Sequence, residues 1–178
     1  ATWTKSTGIG FNTVPVSDPV TNNKFYVYDS NSGDLMVSID GGVTFSKAAN
    51  AGSGGSKIIR TVPGKAGHLW IAKKGGGLIR TTNGGTSYTT PSASVTAVLA
   101  VGIGKAAPSA TYPTIYIWGT VSGVEGVFSS IDQGLTWTRI NDDANEFGGI
   151  GNGNFVIGDM NIYGRVYMST VGRGIVYG

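Results

Sequence analysis

At residues 38–45 the chain reads Ser-Ile-Asp-Gly-Gly-Val-Thr-Phe, and this stretch decides the fold because its pattern recurs. Residues 81–88 read Thr-Thr-Asn-Gly-Gly-Thr-Ser-Tyr, and residues 130–137 read Ser-Ile-Asp-Gln-Gly-Leu-Thr-Trp. Each copy has a hydroxyl residue, then Asp or Asn, then glycine, a second hydroxyl residue and an aromatic residue. The copies start 43 and 49 residues apart, a period that is typical of repeat architectures.

The shared residue types are those that a compact hairpin turn requires. An Asp or Asn side chain accepts hydrogen bonds from nearby backbone N–H groups, and glycine adopts backbone angles that other residues resist. The aromatic residue is expected to enter the next strand and pack between sheets. We therefore predict a structural role, and no catalytic role for the carboxylates, for the following residues: Ser38, Asp40, Gly42, Phe45, Asn83, Gly85, Tyr88, Ser130, Asp132, Gly134 and Trp137.

The pattern resembles the Asp-box, or BNR repeat, of sialidases and related β-propellers. Between copies the chain has short alternating runs that are typical of strands, in the second unit at the positions Phe45–Ala48, Lys57–Val62, His68–Ala72 and Gly77–Thr82. Four strands in about 45 residues match one propeller blade. We predict an all-β fold of four four-stranded antiparallel blades, approximately residues 1–44, 45–87, 88–136 and 137–178.

The first residues match the end of an Asp-box. Thr2 aligns with Thr44 and Trp3 with Phe45, while the first half of that copy is missing. This alignment predicts a first strand at Thr2–Thr4 and a core position for Trp3, as for Trp137. It also leads us to expect a fragment of a longer chain.

Composition excludes several functional classes. Charged residues are 13% of the chain, and the 13 basic residues are scattered, so no nucleic-acid-binding stripe is expected. With no cysteine and a single histidine, His68, a metal site is not predicted. No apolar run reaches the roughly 20 residues of a membrane span, so a membrane partner is not expected. No cofactor is predicted.

Longer motifs point to a family. They are Ile59-Arg-Thr-Val-Pro-Gly-Lys-Ala-Gly67 before Leu69-Trp70, Gly104-Lys-Ala-Ala-Pro108 with Tyr112-Pro113, and Tyr163-Gly-Arg-Val-Tyr167 with the closing Gly172-Arg-Gly-Ile-Val-Tyr-Gly178. In order and spacing they resemble the C-terminal part of the second propeller of family 74 glycoside hydrolases, which are secreted xyloglucanases. The match covers about two thirds of the chain well.

The resemblance implies a parent enzyme with two seven-bladed propellers that face each other across a cleft. Such enzymes are endo-β-1,4-glucanases that invert the anomeric configuration with an acid and a base aspartate. No position here matches either catalytic motif, so no catalytic residue is assigned and the isolated segment is predicted to be inactive. The implied partners are xyloglucan or another β-glucan, and the remaining blades of the parent chain or a self-associated copy.

Candidate substrate-binding residues are two tryptophans and a group of polar residues. Sugars stack on exposed aromatic faces, which singles out Trp70 and Trp118, although core packing is the alternative for both. The polar candidates are Asn141, Asp142, Asp143 and Arg173. For the first three, capping of a turn is the alternative interpretation. They are expected on the face opposite the Asp-box turns. Asp159 is predicted to be a turn residue with Arg165 as its candidate partner.

Two other functions stay open at this point. A non-catalytic Asp-box module that binds carbohydrate or protein would use the same blades without any parent enzyme. A sialidase fragment would need an arginine triad and a tyrosine nucleophile, and the closing segment does not resemble that family.

Overall fold

The computed structural model describes residues 3–145, 155–170 and 174–178. The chain divides into two compact units, one formed by Ala1–Ile71 with Ile79–Thr89 and the other by Ala72–Leu78 with Thr90–Gly178. The described residues are almost entirely strands and turns, with one short 3-10 turn at Asp143–Asn145. No helix in the described ranges has the length and apolar character needed to cross a membrane.

The first unit opens with a four-stranded antiparallel sheet. Its strands are β1 (Val16–Ser17), β2 (Phe25–Tyr28), β3 (Asp34–Ser38) and β4 (Ser46–Asn50), and each pairs with the next along the chain. A bulge between Leu35 and Met36 interrupts the pairing of β3 with β4. The first Asp-box turn joins β3 to β4, as a propeller blade requires.

The next sheet has three strands, β5 (Arg60–Thr61), β6 (Leu69–Lys73) and β7 (Gly77–Thr81), in that order. A fourth strand is represented only by an isolated bridge between Arg80 and Thr89. The second Asp-box follows β7. Side chains of this sheet and the first one form a core cluster in the first unit: Tyr26, Tyr28, Leu35, Ile59, Leu69, Ile71 and Ile79.

The second unit contains a long four-stranded sheet and a three-stranded one. The first comprises β8 (Val95–Gly104), β9 (Thr114–Val121), β10 (Val124–Ser130) and β11 (Thr138–Arg139). The second comprises β12 (Val156–Gly158), β13 (Val166–Ser169) and β14 (Ile175–Tyr177). Buried side chains of both sheets form the core of this unit: Ala100, Tyr116, Trp118, Val127, Val156, Val166 and Met168. Burying each large apolar side chain stabilises the fold by about 1.5–3 kcal/mol.

The predicted all-β class is confirmed, and so are the antiparallel order of the sheets and the place of the Asp-box turns between strands. Several details are wrong. Among the described residues, two of the four sheets have three strands in place of the predicted four, and Trp3–Thr4 is not part of a strand. Trp3 is 98% exposed, because no neighbouring sheet lies against it in the described structure. Thr2 lies outside the described residues.

Candidate functional site: the Asp-box turns and a pocket beyond β11

The first Asp-box turn satisfies its polar groups within eight residues. The Ser38 hydroxyl donates to Asp40 Oδ1 at 2.7 Å and accepts the Gly42 N–H at 2.9 Å. Asp40 Oδ1 also accepts the N–H groups of Val43 at 3.1 Å and Thr44 at 3.0 Å, while Thr44 Oγ1 donates to Asp40 Oδ2. The Thr44 hydroxyl and N–H, with Ser38, hold the pKa of Asp40 well below its usual range.

The other two turns repeat these contacts. Gly85 N–H donates to Thr81 Oγ1 at 2.9 Å, and Ser87 N–H donates to Asn83 Oδ1 at 3.0 Å. In the third turn Ser130 Oγ donates to Asp132 Oδ1 and accepts the Gly134 N–H, both at 2.8 Å. Burial would raise the pKa of Asp132, but hydrogen bonds from Thr136 and Ser130 lower it.

These contacts confine the Asp-box carboxylates to structural work. Asp40 and Asp132 stay ionised, and their carboxylate oxygens accept hydrogen bonds from backbone N–H and hydroxyl groups of their own turns. A general acid of a glycosidase needs the opposite, a raised pKa and an oxygen free to protonate the leaving group.

The aromatic positions of the three turns are buried to different degrees. Phe45 is buried, whereas Tyr88 and Trp137 are half-buried. The Trp137 indole N–H donates to the Gly134 carbonyl at 3.1 Å, so its ring folds back on its own turn. Trp137 was predicted to be in the core, but its side chain is only half-buried.

The two tryptophan candidates for sugar stacking have no accessible ring face. Trp70 is 0% exposed and Trp118 is 2% exposed. Trp70 also lies under the Arg80 guanidinium, at 5.6 Å from the ring centroid, and Trp118 belongs to the core of the second unit. Stacking requires an exposed face, so we assign both residues to the core.

The polar candidates beyond β11 are partly brought together. Asn141 Oδ1 accepts the Val127 N–H at 2.8 Å and the Arg139 Nε–H at 3.3 Å, so its amide caps the end of the β10–β11 pairing. Asp143 accepts a hydrogen bond from Arg139 at 2.5 Å and is largely exposed, as is Asp142. Arg173 lies outside the described residues.

A pocket of about 300 Å³ lies beside this loop in the second unit. Asn141 and Asp142 supply its polar groups. Tyr177 borders the pocket, but its ring lies 6.1 Å from that of Tyr167, on the face of the sheet opposite to Val176. An apolar cleft with an amide and a carboxylate at its edge can hold a small polar ligand such as a sugar residue.

A second type of turn also occurs twice, and the sequence analysis predicted its copy at Asp159 but missed the copy at Asp18. Asp18 Oδ1 accepts the N–H groups of Val20 at 3.0 Å and Thr21 at 2.8 Å. Its Oδ2 accepts the Tyr26 hydroxyl and the Gly67 N–H, both at 2.8 Å. Burial would raise the pKa of Asp18, but these four hydrogen bonds lower it to about 2.

Asp159 heads the same turn in the second unit. Its Oδ1 accepts the N–H groups of Asn161 at 2.7 Å and Ile162 at 3.1 Å, and its Oδ2 lies 3.4 Å from the Tyr167 hydroxyl. Arg165 is 3.7 Å away, which confirms the predicted pairing. The sequence carries a pattern that could have predicted this repeated turn. In both copies a basic residue follows the aspartate by six positions and a tyrosine follows it by eight, as in Asp18, Lys24 and Tyr26.

The remaining candidates offer no metal chemistry. Within residues 3–145, 155–170 and 174–178, no three His, Cys, Asp or Glu side chains are placed to hold a metal ion. His68 is half-buried, and burial with the nearby Arg80 and Lys65 charges lowers its pKa.

The chain is similar in sequence and in fold to known proteins. The chain is 44% identical over 178 residues to the xyloglucanase Xgh74A of Acetivibrio thermocellus, covering 99% of this chain and 20% of that protein. The crystal structure of the GH74 enzyme of Niastella koreensis matches 93% of the chain with a TM-score of 0.89 and 59% identity. The chain matches a C-terminal segment of GH74 enzymes.

A second GH74 structure supports the same relationship. The GH74 xyloglucanase of Xanthomonas campestris matches 100% of the chain with a TM-score of 0.88 and 36% identity. The chain spans about a quarter of each of these two solved chains, 24% and 25%. No protein-family profile matches the chain.

Proposed function

We propose that the chain is a non-catalytic propeller segment of a secreted, xyloglucan-degrading glycoside hydrolase, and that it lines part of the polysaccharide groove. The observation that carries the proposal is the 44% identity to a xyloglucanase across all 178 aligned residues. The remaining blades of a longer polypeptide would complete the enzyme and supply its acid and base.

The electrostatics of the chain support a non-catalytic role. An inverting glycosidase keeps one carboxyl group protonated, with a raised pKa, to act as general acid. In this chain the pKa is shifted downward for Asp18, Asp34, Asp40, Asp132 and Asp159. Each of these five carboxylates is engaged by backbone, hydroxyl, amide or basic groups, which stabilise the charged form.

The pocket beyond β11 supports contact with a glycan. It combines the polar groups of Asn141 and Asp142 with apolar walls from Ile140, Val166 and Val176. Asp142 is the most informative of these residues to change, because its side chain is exposed. Asn141 also supports the fold through Val127.

Two measurements test the proposal. Incubated with xyloglucan, the chain should release no reducing ends, and hydrolysis would overturn the non-catalytic assignment. In affinity electrophoresis through a gel containing xyloglucan, the chain should be retarded. Asp142→Ala should reduce the retardation, while Asp29→Ala, which changes a carboxylate of the first unit that does not line this pocket, should not.

The second candidate function, a binding module without a parent enzyme, predicts a different result in the same gel. Such a module would be retarded by unrelated polysaccharides as strongly as by xyloglucan. Absence of retardation by xyloglucan would leave the chain as a structural segment that does not contact the glycan.

A further inference from the structure

The second Asp-box turn differs from the other two in charge. Asn83 stands where the first and third turns have Asp40 and Asp132. Its Oδ1 accepts the Ser87 N–H at 3.0 Å, and its Nδ2 donates to Ser87 Oγ at 2.9 Å. The amide therefore makes the hydrogen bonds of the turn without bringing a negative charge.

Two lysines lie around this uncharged turn. Lys24 Nζ is 5.5 Å from the centroid of the Tyr26 ring and 3.3 Å from the position that a Cβ on Gly84 would occupy. Lys65 belongs to the hairpin between β5 and β6, two residues before Gly67. That hairpin is bonded to the same turn, because the Gly84 N–H donates to the Gly67 carbonyl at 2.9 Å.

The local electrostatics are dominated by positive charge. Burial lowers the pKa of His68, and the charges of Arg80 and Lys65 lower it further, each acting more strongly than the opposing charge of Asp18. Among the described residues, no carboxylate forms an ion pair with Lys24 or Lys65. Unpaired cations at a turn that has lost its own carboxylate favour an anionic partner.

The cluster does not lie where a neighbouring sheet is absent. Lys24 follows the Asp18 turn of the first sheet, and Lys65 belongs to the second sheet. Both sheets are described, and Asp18 joins them through the Gly67 N–H. The lysines are on hairpins at the ends of strands, so the positive charge is a property of a junction that the chain itself completes.

The chemistry of the turn suits a charged sugar. Thr82, Asn83 and Thr86 are exposed and carry hydroxyl and amide groups. Tyr88, the aromatic residue of the turn, is half-buried and packs against the core of the first unit. Residues 81–88 thus lack the exposed ring on which single-stranded nucleic acids stack, and two lysines are fewer than the basic stripe of a duplex-binding protein.

We propose that Lys24 and Lys65, with the Asn83 turn, form a binding site for an acidic polysaccharide. The two ammonium groups pair with carboxylates of its uronic acid residues, and Thr82, Asn83 and Thr86 bond to sugar hydroxyl groups. This site goes beyond the function proposed above, because xyloglucan is a neutral polysaccharide and offers no carboxylate to these lysines.

Isothermal titration calorimetry with an oligogalacturonate tests the proposal on the whole chain. Asn83→Asp adds a carboxylate at the site and keeps the turn, because Asp40 holds the equivalent turn of the first sheet. Its control is Asn31→Asp, the same change at an exposed position of another turn. Lys24→Gln removes one charge, and Lys57→Gln is its control at an exposed lysine of the same unit.

The wild-type chain should bind the oligogalacturonate, and more weakly as the salt concentration is raised. Asn83→Asp should weaken binding about tenfold through like-charge repulsion. Lys24→Gln should weaken it about fivefold, and neither control should change it. Absence of binding by the wild-type chain would overturn the proposal. Equal losses in test and control variants would also overturn it, because the net charge of the chain would then be responsible.

The same titrations with a DNA duplex and with a xyloglucan oligosaccharide identify the class of partner. A duplex that binds as tightly, with the same sensitivity to Asn83→Asp, would refute the assignment to an acidic polysaccharide. So would equally tight binding of the xyloglucan oligosaccharide with that sensitivity, because the site would then not select charge. The function proposed above is tested separately, through Asp142 and xyloglucan, so failure of one proposal leaves the other standing.

Discussion

Asp18 and Gly67 are 49 residues apart in sequence, and the carboxylate of the first accepts the N–H of the second at 2.8 Å. This buried hydrogen bond connects the first hairpin of one sheet to that of the next within the first unit. Because a carboxylate accepts it, the strength of the connection depends on ionisation.

The first prediction concerns acid stability. The pKa of Asp18 is about 2 in the folded chain, against an ordinary value of 3.8. A carboxyl with a depressed folded pKa contributes stability above its unfolded pKa, and that contribution is lost as pH falls from about 4 through 2. The contribution is about 2 kcal/mol. Asp18→Asn should therefore unfold more easily at pH 7 and show a shallower loss of stability between pH 4 and 2.

Urea titrations at pH 7 and at several acid pH values measure this effect. Asp29→Asn is the control, since the Asp29 carboxylate accepts hydrogen bonds from the backbone N–H groups of Asn31 and Ser32 in its own turn. Equal acid sensitivity of Asp18→Asn and the wild-type chain would contradict the role given to Asp18.

The second prediction concerns the hydroxyl of an Asp-box turn. Ser130 is buried and holds both Asp132 and the Gly134 N–H. Ser130→Ala should leave that N–H unsatisfied and lower the free energy of unfolding by about 1–3 kcal/mol. The adjacent Ser129→Ala should have a small effect, which makes the pair a matched comparison in thermal melts. Similar losses for both would mean that the turn does not depend on its hydroxyl.

The third prediction concerns the approach of β8 to β12. A Cβ at Gly102 would lie 2.3 Å from the Val156 carbonyl oxygen, a backbone atom that cannot easily move aside. Gly102→Ala should cost about 1–3 kcal/mol through overpacking. Gly75→Ala is the control, because a Cβ there meets open space. A Gly102→Ala chain with the wild-type melting temperature would show that the two strands lie further apart.

The fourth prediction separates two residues of the loop beyond β11. Asn141→Ala removes the acceptor of the Val127 N–H and should cost about 1–2 kcal/mol. Asp143→Ala removes only an exposed ion pair with Arg139, which is worth about 0–1 kcal/mol. Chemical denaturation of both variants checks which of them loses more free energy of unfolding. If Asp143→Ala lowered the free energy of unfolding more than Asn141→Ala, Asn141 would not be the cap of this loop.

Much of the fold could be predicted because the information is local. The hydroxyl, Asp or Asn, and glycine of each Asp-box act on one another within eight residues, so the pattern predicted both the turn and the place of the neighbouring strands. The longer motifs added the resemblance to a family of β-propeller enzymes.

The site could not be predicted equally well, because exposure depends on contacts that are distant in sequence. Trp70 and Trp118 have the residue type of a sugar-stacking platform, but the packing of other strands buries them. Trp3 has the residue type and register of a core aromatic and is exposed for lack of a neighbour. Asp18 was missed because Gly67, one of its four partners, is remote in sequence.

The self-contained Asp-box turn has an evolutionary consequence. Since the turn at Ser38 and Asp40 settles its own polar groups, a gene segment that encodes one blade can be duplicated without a matching change elsewhere in the protein. What a new blade must still acquire is the remote partner of its first hairpin, as Asp18 has in Gly67. Selection on blade number would therefore act on the joints between blades and leave the turns unaltered.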